Sequence, residues 1–121
     1  MPPVLYLVLS GAFALPMALG LALIPETPRN PRDIVYDYGV TSYCGTLSPE
    51  VEVGFRRELA AVQDRFGLSE AEAKAARIRG WVAADAEWSN RGLGGYRAWC
   101  ESEGVAAARR FLEIARGRQE P

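Results

Sequence analysis

Histidine is absent from this 121-residue chain, lysine occurs once and cysteine twice. The absence of histidine excludes imidazole general bases and every metal site that uses a histidine ligand. Two cysteines are too few for a four-sulfur zinc site or an iron–sulfur cluster. A net charge of −1 excludes the strong basic excess that is usual for bulk nucleic-acid binding. We therefore expect no cofactor, no metal and no nucleic-acid partner.

Charge is also missing from Met1–Pro25, which contains no Lys, Arg, Asp or Glu. Residues 4–24 within it form an uncharged apolar run. As a helix this run would span roughly 31 Å, close to the thickness of a bilayer's hydrocarbon core. The sequence therefore predicts that residues 1–25 are a transmembrane anchor or a signal segment, with lipid contact through residues 4–24. A buried core helix is a third interpretation.

The two membrane interpretations differ in whether the segment is retained. No basic residue precedes the apolar run, and the run is longer than a usual signal core of about 7–15 residues, so a retained anchor fits better. Small residues around Gly20 and Ala22 leave cleavage open. Arg29 and Arg32 follow the segment and favour a cytoplasmic C-terminal part, whereas the paired cysteines favour export. We expect export.

Residues 26–46 are predicted to be a Pro-rich spacer followed by ordered coil. Residues 25–32 contain three prolines, which favour an extended spacer that does not join a helix. The stretch from Asp33 to Thr46 contains three tyrosines and several β-branched residues. No second strand is in view, so we expect it to be coil packed on the helices.

Residues 47–121 are predicted to form a small domain of three or four helices. Ser48 and Pro49 suit the start of a helix, and Gly67 suits its end. Ser69 begins a capping box, S-x-x-E, at the start of the next helix. Each helix should bury one face. In the first helix this face is Phe55, Leu59, Val62 and Phe66, and in the second it is Ala73, Ala76, Gly80, Ala84, Trp81 and Trp88. A short helix from Tyr96 to Glu103 follows, and the last helix should bury Val105, Ala108, Phe111, Leu112 and Ala115. The predicted fold is all-α.

The two cysteines, Cys44 and Cys100, are predicted to form one disulfide. It would join the coil ahead of the first predicted helix to the far end of the bundle, and a domain this small needs such a link. Two free thiols in a reducing compartment remain the alternative. A reactive cysteine has little support because no histidine is present to activate it.

A partner surface is predicted around the glycine-rich turn that follows the second helix. Tryptophan, tyrosine and arginine dominate the energetic centres of protein interfaces, and they are concentrated here. The predicted partner-binding residues are Trp88, Arg91, Tyr96, Arg97 and Trp99. Trp81 and Trp88 can also be core residues, since they lie two helical turns apart. The turn lacks the strand and the Lys-Ser/Thr sequence that a phosphate-binding loop needs.

No catalytic constellation is evident, because the closely spaced carboxylates lie on different faces of their helices. The sequence therefore predicts a non-enzymatic accessory or assembly subunit of a larger membrane protein complex. It would be a single-pass protein of a bacterial inner membrane with its C-terminal domain in the periplasm. The alternative is a soluble periplasmic binding module, released by cleavage, such as an inhibitor, an immunity-type protein or a chaperone.

Overall fold

The computed structural model describes residues 29–121, and this part of the chain is helical with no strand. Four helices have more than ten residues: α1 (Pro31–Tyr43), α2 (Pro49–Phe66), α3 (Glu70–Asn90) and α5 (Val105–Ala115). A short α4 (Tyr96–Trp99) continues through a π-helical turn (Cys100–Gly104) into α5. The all-α prediction is confirmed for these residues. The predicted membrane segment at residues 4–24 lies outside them, and no helix within residues 29–121 is both long and apolar enough to cross a bilayer.

The predicted start and stop signals of α2 and α3 are confirmed. The Ser48 hydroxyl accepts a hydrogen bond from the Val51 amide at 3.1 Å. Ser69 and Glu72 form the reciprocal capping box, with hydrogen bonds of 3.2 and 3.4 Å. Gly67 ends α2 with a φ of 60°, a left-handed conformation that glycine adopts without strain.

Helix α1 corrects the prediction of coil between residues 33 and 46. Asn30 caps this helix and accepts a hydrogen bond from the Asp33 amide at 2.9 Å. Pro31 occupies the first turn, where proline is well tolerated, so a proline that the sequence analysis placed in an extended spacer begins a helix instead. The helix has no one-sided apolar pattern because it is the central element and contacts α2, α3, α5 and the π-helical turn. The helical part of the chain therefore starts at Pro31 instead of residue 47.

Glycine and alanine allow α1 and α3 to pack closely, as the small residues of α3 predicted. A Cβ atom added to Gly80 would lie 2.6 Å from the carbonyl oxygen of Arg32, and one added to Gly39 would lie 2.7 Å from the Cβ of Ala84. Further along, Tyr43 stacks on Trp88. These contacts advance together along both helices, so α1 and α3 run in the same direction.

Helices α2 and α5 form the second tightly packed pair. A Cβ atom on Gly54 would lie only 1.8 Å from the backbone carbonyl oxygen of Phe111, so the two backbones touch at this glycine. Between this pair and α1 lies the main hydrophobic core, formed by the buried residues Ile34, Val51, Val62, Ala108 and Phe111.

Several residues that the helical patterns placed inside are exposed. On α2 the buried ridge is Val51, Gly54, Glu58 and Val62, and Phe66 is 49% exposed. Trp81 on α3 is 39% exposed, and Val105 at the start of α5 is exposed as well. The cause is the small number of neighbours: α3 packs mainly on α1, so its second apolar face stays open.

The predicted disulfide is confirmed. Cys44 directly follows α1, and Cys100 begins the π-helical turn, 56 positions later in the chain, with a Cα–Cα distance of 5.2 Å. Gly104 leaves room for the bond, because a Cβ atom there would approach the Cys44 sulfur to 3.0 Å. The bond therefore joins the end of the central helix to the segment that leads into α5.

Candidate functional site

The glycine-rich turn between α3 and α4 displays one leucine in full. Gly92 and Gly94 have φ values of 66° and 81°, which only glycine adopts readily, and they hold Leu93 between them. The Leu93 side chain is as exposed as in an extended chain, at 108% of its reference area. The side chain therefore takes no part in the packing of residues 29–121.

Aromatic rings stand beside this leucine. The Trp88 ring lies 5.2 Å from that of Tyr96, and on its other side it stacks on Tyr43 at 5.3 Å with an interplanar angle of 18°. The Tyr43 hydroxyl donates a hydrogen bond of 2.7 Å to Asp85, which anchors the stack to α3. We call the surface formed by Trp88, Leu93 and Tyr96 the aromatic turn.

The aromatic turn borders a shallow depression with a volume of about 580 Å³. Its lining is mostly apolar: Trp88, Ser89, Gly92, Leu93, Gly94 and Tyr96. No charged group lines it, so it suits the apolar side chain of a partner better than a charged small molecule.

Two of the predicted partner-binding arginines differ in their surroundings. Arg91 is half-buried: its guanidinium carbon lies 4.9 Å from the centre of the Trp99 ring, and its Nη2 donates to Glu87 at 2.7 Å. Arg97 on α4 is exposed, and no acidic group of residues 29–121 forms an ion pair with it. Arg97 is therefore the cation of this surface that is available to an outside group.

Trp99 corrects the predicted set, because it is only 2% exposed. Its indole Nε1 donates to Glu103 at 2.7 Å, and the Tyr36 hydroxyl donates to the same carboxylate oxygen at 2.9 Å. These bonds tie the π-helical turn to the middle of α1. Trp99 is therefore a core residue, and its side chain is not part of the exposed surface.

Burial, together with the hydrogen bond to Glu103, raises the pKa of the Tyr36 phenol to about 12, from an ordinary value of 10. The folded state therefore holds this proton more tightly than the unfolded chain. The resulting stabilisation is present in full below pH 10 and is lost as the pH rises towards 12. The pKa values of Tyr38 and Tyr43 are raised as well, through burial for Tyr38 and through the Asp85 hydrogen bond for Tyr43.

We expect alkaline destabilisation that depends in part on Tyr36. Urea unfolding between pH 9 and 11.5 should show stability falling with pH, and Tyr36→Phe should make the slope shallower without abolishing it, since Tyr38 and Tyr43 remain. The comparison uses slopes, because the substitution also removes a hydrogen bond at neutral pH. Equal slopes for both proteins would contradict this assignment.

A second polar cluster was not anticipated from the sequence. Glu58 on α2 is completely buried, and its carboxylate is paired with Arg29 and with Arg110, whose Nε lies 2.8 Å from Oε2. Arg29 also pairs with Asp37. Burial raises the pKa of Asp37 above its ordinary range, although Arg29 opposes the change. The pKa of Arg29 is raised as well. Burial alone would lower it, but the hydrogen bond to Glu58 and the negative charges of Asp37 and Glu58 raise it by more.

The signal for this cluster is present in the helical spacing. Glu58 lies at the centre of the apolar ridge that begins at Val51 and ends at Val62, where an unpaired charge would be costly. A glutamate at such a position predicts a buried basic partner.

The carboxylates of residues 29–121 are engaged in structural contacts or exposed, and no group of three or more potential ligands in this range could hold a metal ion. Asp85 accepts from Tyr43, Glu87 pairs with Arg91, Glu103 binds Tyr36 and Trp99, and Glu72 caps α3.

The chain was also compared with known proteins. No protein-family model, curated protein or solved structure matches it. The class that the fold and the aromatic turn define is a small, disulfide-linked helical domain with an exposed apolar surface.

Proposed function

We propose that this protein is a non-enzymatic accessory or assembly subunit of a larger membrane protein complex, and that the aromatic turn is its partner-binding surface. The observation that supports this most directly is Leu93, fully exposed between two left-handed glycines and flanked by Trp88 and Tyr96. Rigid aromatic anchors around an apolar side chain are typical of interface centres.

The chemistry of the aromatic turn fits a partner with an apolar pocket and an acidic rim. Leu93 would enter the pocket, Trp88 and Tyr96 would cover its edges, and the exposed guanidinium of Arg97 would meet a carboxylate. Arg91 would contribute indirectly, because its contacts with Trp99 and Glu87 stabilise the residues that support the aromatic turn. Burial of such a cluster on binding contributes most of the affinity of many interfaces.

The proposed location is a bacterial inner membrane, with residues 4–24 as a single-pass anchor and the helical domain in the periplasm. Its support is the uncharged run of spanning length and the Cys44–Cys100 disulfide, which persists in oxidising compartments. The second candidate is a soluble periplasmic binding module. It is favoured by the observation that residues 29–121 contain their own core and disulfide. The intact mass of the native chain separates the two: the anchored form includes Met1–Pro25, whereas the cleaved form starts near residue 21 or 23.

Native gel electrophoresis of mildly solubilised membranes tests the subunit proposal. We expect the chain to migrate in a large, defined assembly. Leu93→Asp should weaken this association at least about 30-fold, because a carboxylate would have to be buried in an apolar pocket. The matched control is Leu47→Asp, at another exposed leucine that does not line the depression, which should leave the assembly intact.

Two results would contradict the proposal. Migration of the wild-type chain alone at small size would remove the accessory-subunit role. An assembly that survives Leu93→Asp as well as it survives Leu47→Asp would show that the aromatic turn is not the contact surface.

A further inference from the structure

A groove lies between α2 and α3, with Tyr38 of α1 as its floor. The Tyr38 ring stacks on Phe55 of α2 at 3.9 Å and meets the edge of the Trp81 ring of α3 at 5.9 Å. Helix α2 packs on α1 and α5, and α3 packs on α1, but α2 and α3 are not packed along each other. The groove is therefore formed by three helices of residues 29–121, with α1 at its base and α2 and α3 as its walls.

Both walls of the groove are apolar and only partly covered. On α2, Phe55, Leu59 and Phe66 follow one another at helical spacing; Phe55 and Leu59 are partly buried, and Phe66 is 49% exposed. On α3, Trp81 and Ile78 lie one turn apart and are exposed. The predicted core stripe of α2 is thus turned partly into the groove.

The end of the groove near the α2–α3 connection is polar and rich in hydrogen-bond donors. A depression of about 460 Å³ there is lined in part by Gln63, Lys74 and Arg77. The Nε2 atom of Gln63 is buried and has no acceptor among residues 29–121. Within the same range neither Lys74 nor Arg77 takes part in an ion pair, and Glu70, at the first position of α3, is the single acidic residue of the lining.

We propose that this groove binds one apolar helix of a partner protein, and that the helix carries an acidic residue against Gln63, Lys74 and Arg77. The apolar face of the helix would cover Tyr38 and Trp81. A carboxylate about one to two turns further along would accept hydrogen bonds from the Gln63 amide and from the two cations.

The dimensions and the charges favour this occupant. The apolar wall of the groove on α2 extends from Phe55 to Phe66, 12 residues or roughly 18 Å of helix, which accommodates about three turns of a partner helix. The unsatisfied amide donor and the two cations favour a partner helix whose end at this site is acidic, because a basic residue there would face like charges. The groove is separate from the aromatic turn, so the inference goes beyond the proposed function and is tested separately from it.

Two synthetic helical peptides test the proposal. Both have about 16 residues and the same leucines at i, i+3, i+4 and i+7, and they differ only in the last turn, which carries glutamates in one and lysines in the other. The full chain is incorporated in nanodiscs of zwitterionic lipid, with empty nanodiscs as the blank. We expect the glutamate peptide to bind at least about tenfold more tightly than the lysine peptide, with the difference decreasing as salt is added.

Charge reversal makes the test specific. The double variant Lys74→Glu/Arg77→Glu should invert the preference, so that the lysine peptide binds more tightly. Trp81→Glu should weaken both peptides by at least about tenfold, since it places a charge in the apolar part of the groove. The matched control is Arg79→Glu/Arg109→Glu, which reverses two exposed arginines outside the lining of the polar depression and should leave both affinities unchanged.

Other occupants are recognisable outcomes that would overturn the proposal. Equal binding of the two peptides, or binding no greater than to empty nanodiscs, excludes an acidic helix. A dimer of the full chain that Trp81→Glu converts to a monomer, without peptide binding, assigns the groove to a second copy. One outcome supports the groove independently of the proposed function. If Leu93→Asp abolishes the assembly but leaves the peptide preference intact, the groove binds an acidic helix whether or not the same partner uses both surfaces.

Discussion

Replacing Cys44 or Cys100 with serine is expected to lower the free energy of unfolding by about 4 kcal/mol. The bond links positions 56 apart, and in the chain-entropy model closing a loop of this length removes that much conformational freedom from the unfolded chain. Domains of this size have a total stability of about 5–15 kcal/mol, so the loss is a large share of the whole. Thermal unfolding should show a decrease in Tm of roughly 15–30 °C.

The two single variants and the double variant should be equally destabilised, because each removes the same bond. Wild-type protein treated with a reductant should match them. A Tm that is unchanged in all of these samples would show that the bond does not stabilise the domain. A large decrease would also mean that the domain folds poorly in a reducing compartment, which bears on the proposed periplasmic location.

Replacing Glu58 with glutamine is expected to cost about 3 kcal/mol, measured by urea unfolding at neutral pH. The substitution keeps the volume of the side chain but removes the only buried negative charge that Arg29 and Arg110 share. Both arginine side chains are about three-quarters buried, so water replaces little of the lost interaction. Arg29 retains Asp37, whereas Arg110 loses its ion pair within residues 29–121.

Glu52→Gln is the matched control for this prediction. Glu52 lies on the same helix and also pairs with an arginine, Arg56, but both side chains are exposed, and such pairs contribute roughly 0–1 kcal/mol. Removing both charges together in Glu58→Met/Arg110→Met should recover part of the loss, because no uncompensated arginine is then left at this contact. If Glu58→Gln were no more destabilising than Glu52→Gln, the buried cluster would have no structural role.

Helices α2 and α3 were predicted from their local start and stop signals, whereas α1 was not, although Asn30 and Pro31 begin it in the same way. Ser48, Ser69 and Gly67 act within one turn of the chain, so their effect can be read without knowledge of the fold. Helix α1 is buried on several sides, and its Ile34, Val35 and Val40 form no single stripe.

The candidate site shows the same division. The glycines of the turn and the aromatic residues around them indicated an exposed surface, and Trp88, Tyr96 and Arg97 lie there. Trp99 belongs to the same group of aromatic and arginine residues in the sequence but is buried. Its indole nitrogen donates to Glu103, which also accepts from Tyr36 of α1. Leu93 was not singled out, since an isolated leucine in a sequence carries no information about exposure.

The sequence alone predicted the all-helical class, the limits of α2 and α3, the disulfide and the position of the exposed turn, because each depends on residues close in the chain or on a simple count of cysteines. The tertiary structure decided which faces meet. It placed Glu58 between two arginines from distant parts of the chain, made the Tyr-rich segment the central helix, and kept α2 and α3 from packing along each other within residues 29–121. These outcomes depend on contacts between residues far apart in sequence, and the free energy of such contacts belongs to the packed helices rather than to any one of them.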